Sequence, residues 1–143
     1  MKCLPDPTNY TTCGTRDELK QLGEGQKITV VAWALTAKSG SPESANCDLP
    51  HQVDQDNHIV LVDPRVKDPT LARDEIRSVT SEFTPRVRLD HHPNFNRTKL
   101  NGLIRRGGGK LLVRVTGLLM FDSKHFFDKT TVVKRDTDWE ILE

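Results

Sequence analysis

Asn46, Cys47, Asp48, His51, Asp56 and His58 crowd the approach to one predicted strand, and Asp122 and His125 stand at the end of another. Thiolate, imidazole and carboxylate are the groups that hold zinc or another divalent ion, which makes Cys47, His58, Asp122 and His125 the candidate metal ligands. No C-x-x-C or H-x-x-x-H pair pre-forms a site on one element, however. Loop hydrogen bonds from Glu43, Ser44 and Asn46, with a turn capped by Asp122, account for the same residues. Glu82 and Glu140 are carboxyls suited to acid-base chemistry beside His58 or His125. No nucleophile paired with a base can be read, so no catalytic residue is assigned.

A second chemistry, the binding of phosphate and base, needs cations beside aromatic rings. Arg86, Arg88, Arg114, Lys124, His125, Phe126 and Phe127 are the candidate ligand-binding residues, with Lys129, Lys134 and Arg135 nearby. Acidic Asp122, Asp128, Asp136 and Asp138 interrupt that last group. Lys+Arg 21 against Asp+Glu 20 leaves a net charge of +1, which excludes a global basic field and confines such binding to a local patch. Asp90-His91-His92-Pro93 spells the core of the DHH phosphoesterase signature. That chemistry needs further aspartate motifs on a parallel α/β sheet, for which 143 residues leave no room.

The elements that must position these groups follow from periodicity. Residues 1–22 read as an irregular arm with one helical turn through Arg16 to Lys20, and a single domain runs over 23–143. Ile28 to Thr36 is β-branched and aromatic with neither Gly nor Pro, which predicts a long first strand, followed by a shaped loop over 39–50. His58 to Val62 predicts a second strand stopped by Asp63-Pro64. Asp68-Pro69 predicts a short helix over 70–77. Alternation over 79–89 predicts a third strand, with Arg86 and Arg88 on its outer face. Asn96 caps a predicted amphipathic helix built on Leu100, Leu103 and Ile104 and stopped by Gly107-Gly108-Gly109. Lys110 to Phe121 predicts a fourth strand, with Gly117 at a bend and Arg114 facing outward. Thr137 to Leu142 predicts a fifth. Trp33 and Trp139 fall on strands as packing residues, and Arg105-Arg106 complements the helix dipole.

Hydrophobic residues at 35% and charged residues at 29% describe a soluble globular chain, and no apolar run is long enough for a membrane helix. Cys3, Cys13 and Cys47 allow one disulfide or three thiols. The N-terminus lacks an apolar signal core, which leaves cytoplasmic and exported locations both open, and no cofactor motif is read.

Five strands with one short helix between the third and fourth is the order of an oligonucleotide/oligosaccharide-binding (OB) barrel, with a β-sandwich or open α+β sheet as competitor. The strings Gly40-Ser41-Pro42-Glu43-Ser44-Ala45-Asn46-Cys47, Asp56-Asn57-His58-Ile59, Glu82-Phe83-Thr84-Pro85-Arg86-Val87, Val113-Arg114-Val115-Thr116-Gly117-Leu118-Leu119-Met120-Phe121-Asp122 and Trp139-Glu140-Ile141 resemble a group of uncharacterised bacterial OB-fold proteins over about residues 24–142. The resemblance implies the fold, and export in many members, but no activity. The leading expectation is a non-catalytic module for single-stranded DNA, RNA or another polyanion. An exported module binding a protein, small ligand or metal comes second, and a metal-dependent hydrolase third.

Overall fold

The computed structural model describes residues 7, 15–40, 51, 55–92, 94–128, 135 and 137–143. The expectations placed on Cys3, Cys13, Glu43, Ser44, Asn46, Cys47, Asp48, Lys129, Lys134 and Asp136 lie outside the described residues, as do those on the side chains of Lys124, Phe127 and Asp128.

Strands β1 (Lys27–Ser39), β2 (Asn57–Val62), β3 (Val79–Phe83), β4 (Leu111–Phe121) and β5 (Trp139–Leu142) form a closed barrel in the order β1-β2-β3-β5-β4. β1 is long enough to serve two neighbours. Its first half pairs with β4 from Lys27↔Leu118 to Ala34↔Leu111, and its second half pairs with β2 from Trp33↔Val62 to Ser39↔Asn57, with a register shift between Ala34 and Thr36. Such a shift bends the strand and lets the sheet curl onto itself. All pairings are antiparallel except β3 with β5.

Small Ala32, Ala34 and Ala37 leave room inside for Ile59, Leu61, Phe83, Val115 and Ile141, and Leu100 and Ile104 of a helix plug one end. At the opposite end Leu19, Leu119, Phe121 and Trp139 close a second apolar cluster. Leu19 belongs to α1 (Asp17–Gln21), the helical turn expected in the arm, and it is fully buried. Arg16 fastens that segment by bonding the Glu24 carboxylate and donating 2.9 Å to Ser123 Oγ. Gly117 occupies the bend for a steric reason, because a Cβ there would stand 2.6 Å from the Leu142 carbonyl oxygen.

The expected third strand over 79–89 is corrected. β3 ends at Phe83, and α3 (Pro85–His91) takes over. Thr84 is extended, its side chain accepts from the Val87 N–H, and Pro85 supplies a first-turn residue with no donor to satisfy. The period-two pattern therefore continued by coincidence across a helix start. Arg86 and Arg88 consequently stand on a helix and not on an outward strand face, and two helices rather than one join β3 to β4.

The second of these, α4 (Arg97–Arg106), begins as expected at Asn96, which accepts from Lys99 N–H at 2.9 Å, and ends at Gly107. Before β3 the chain forms α2 (Leu71–Asp74) and a 3₁₀ turn over Glu75–Arg77. In the segment read as a polar loop, α5 (Ser123–Asp128) follows β4. No helix among the described residues is long and apolar enough to cross a membrane.

Candidate functional site

Register places a line of polar side chains on the outer face of β2, β3 and β5. His58 stands opposite Glu82, and Thr80 opposite Glu140. Side chains alternate across a sheet, so these four share the face turned away from Ile59, Ser81 and Ile141. The face is covered. His58 and Glu140 are both buried, and Thr80 is fully so.

Asp56, just before β2, joins His58 and Glu82 in a cluster whose ligand atoms all lie within 4.8 Å of one another. The His58 side chain is only 5% exposed and its Nε2 lies 3.0 Å from Glu82 Oε1, yet among the described residues this buried nitrogen has no partner in hydrogen-bonding geometry. The Gly40 backbone closes over it, near enough that a Cβ would come within 3.2 Å of Nε2.

Arg135 extends the line toward β4. Its guanidinium donates to Glu140 Oε2 at 3.0 Å, bonds Asp122 and lies 4.0 Å from Asp138. Burial, reinforced by the carboxylates of Glu82 and Asp122, pushes the Glu140 carboxyl up to about 9 against the pull of Arg135. Arg135 keeps its charge because, although burial opposes it, the surrounding acids hold the guanidinium above its ordinary range. Burial also works against Asp122, but bonds from His125 and Arg135 outweigh it and hold Asp122 below the usual carboxylate range. Asp122 Oδ1 accepts from the His125 N–H at 3.2 Å, the expected turn cap, and its other oxygen bonds His125 Nδ1.

The structure thus brings His58 together with Asp56 and Glu82, and Asp122 with His125, as two ends of one polar line. Of the residues expected to hold a polyanion, the described side chains have separate surroundings. Arg88 is 6% exposed and donates to the Gln55 carbonyl at 3.1 Å, a structural tie. Arg86 is exposed on α3, and Arg114 is exposed on β4 opposite Val31. Phe126 packs on Phe121 with ring centroids 5.2 Å apart, and His125 is committed to Asp122. Lys124 and Phe127 fall on α5. Trp139 is buried against Phe121, and Trp33 donates to the Pro64 carbonyl, so both tryptophans pack. His92 of the DHH string stands edge-on to Phe83 and 3.1 Å from Glu143 Oε1.

A basic surface lies elsewhere. Between Asp90 and Asp122 the chain has no acid, while Arg97, Lys99, Arg105, Arg106, Lys110 and Arg114 all fall in that span. Four of these cations ride on α4. Along it runs an open cleft of about 590 Å³ between the helix, β1 and the segment before α2. Arg97 and Arg105 line it with the hydroxyl-bearing Thr36, Thr70 and Thr98, and no carboxylate among the described residues does. Arg105-Arg106 complements the helix dipole, and the sequence signal for this surface is the absence of acids over 91–121.

No protein-family model matches the chain, and neither a curated protein nor a solved structure does. From the resemblance to bacterial OB-fold proteins, the closed five-stranded barrel is what stands.

Proposed function

We propose that the barrel is of the OB type and that the protein binds single-stranded nucleic acid or a similar polyanion along the cleft between α4 and β1. The strand order, the parallel pairing of β3 with β5, and α4 lying between β3 and β4 support the OB reading. One observation carries the ligand class, namely the cleft lined by Arg97 and Arg105 with no carboxylate among the described residues, on a helix that has four cations and no acid. Backbone phosphates are drawn by Lys and Arg through release of condensed counterions, whatever the base sequence. Exposed Arg114 and Arg86 contribute as further contacts.

The test is fluorescence anisotropy of labelled single-stranded DNA and RNA at two salt concentrations. Saturable binding near the micromolar range, weakening as salt rises, is expected. Arg97→Ala/Arg105→Ala lowers the slope of log affinity against log salt by about 1.4, since each single-strand phosphate contact contributes roughly 0.7. Absence of binding at low salt, or an unchanged slope in the double variant, refutes the reading.

A further inference from the structure

We propose that Asp56, His58 and Glu82 form a site for a divalent transition-series cation of the zinc or manganese type. The site lies on the outer face of β2 and β3, separate from the basic cleft. Geometry is the first argument. The donors sit within 4.8 Å of one another, and the ligands of a single ion with bonds of about 2.0–2.2 Å stand about 3–4.5 Å apart, so small side-chain rotations suffice.

The second argument is the His58 nitrogen. A buried ring nitrogen without a hydrogen bond is costly, and native proteins rarely leave one. Nε2 is buried, turned toward the carboxylates and unbonded. An imidazole lone pair aimed at a cation removes that cost.

One imidazole and two carboxylates suit zinc, manganese or ferrous iron better than calcium or magnesium, which prefer all-oxygen shells. Three protein ligands leave at least one position for a water or a ligand atom, the arrangement of open rather than purely structural sites. The sites differ in face and in ligand charge, so the cation site and the polyanion cleft fail or succeed independently.

Protein stripped with EDTA and dialysed is titrated calorimetrically with zinc chloride and, separately, manganese chloride. One ion per chain at micromolar or tighter affinity is expected, with His58→Ala and the near-isosteric Glu82→Gln each weakening it by more than about 100-fold, beyond what loss of an outer-shell partner does. Circular dichroism of the stripped variants confirms that they fold. If they do not, manganese broadening of amide signals in the unmodified protein decides, with Gly40, Ile59 and Phe83 losing intensity first. No binding at millimolar metal, affinity indifferent to both substitutions, or broadening centred on Asp122 and Asp138 would overturn the site.

Discussion

Replacing Glu140 with glutamine tests the electrostatics of the buried polar line, because glutamine has the shape of the protonated acid and can still accept from Arg135. In the native chain Glu140 holds its proton up to about 9, whereas the unfolded chain releases it near 4.5. Between those values the native state binds the extra proton, so stability falls as pH rises. The contribution is full below about 4.5 and the loss is complete above about 9. Each pH unit inside the window costs at most about 1.4 kcal/mol. For a chain of this size 1 kcal/mol corresponds to roughly 3–5 °C in Tm. From pH 6 to pH 8 the unmodified protein therefore loses about 8 °C or more relative to Glu140→Gln. Thermal unfolding followed by circular dichroism at half-unit intervals, with EDTA present to keep the neighbouring cluster free of cations, measures the difference. A Tm gap that stays constant with pH would mean that Arg135 holds Glu140 as a carboxylate, and the reasoning would be refuted.

Three further substitutions probe the frame. Leu19→Ala removes a fully buried side chain from the cluster with Leu119, Phe121 and Trp139, and is expected to cost about 2–5 kcal/mol in urea unfolding; a neutral result would detach α1 from the fold. Gly117→Ala forces a Cβ to 2.6 Å from a backbone oxygen of β5, and about 1–3 kcal/mol of destabilisation is expected by the same assay. Thr84→Ala removes the cap of α3 and is expected to cost about 1 kcal/mol. Amide exchange in residues 85–91 should then accelerate ahead of that in β3.

The strands declared themselves where burial and chemistry agree. The β-branched run from Ile28 to Thr36 and the alternating stretch before Phe121 read as strands because nothing local competes. Asn96, Leu100, Ile104 and the glycine triplet made α4 legible for the same reason. Between Val79 and Leu89 two local signals conflicted, and Thr84-Pro85 as a helix cap overrode a matching alternation. The polar face was only half legible. Asp56 and His58 are neighbours in the chain, but Glu82 reaches them through the β2 and β3 register, and Glu140 approaches through a parallel pairing that no local pattern encodes. Arg88 looked like a surface cation because a backbone carbonyl partner, Gln55, cannot be seen in a sequence.

The seam between β1 and β4 closes the barrel by joining strands that lie far apart in the chain. Its ladder cannot form until β2, β3 and the helices between them have been looped into place, and loop closure must be met before the seam returns any stabilisation. The protein should accordingly fold in milliseconds to seconds rather than microseconds, the range typical of barrels dominated by distant pairings. Until the seam zips, Val31, Leu112 and Leu118, which stay exposed even in the finished barrel, lie on two unpaired edges. The hazard of aggregation is therefore concentrated in the folding interval, and concentration during refolding, more than final stability, will govern the yield of native protein.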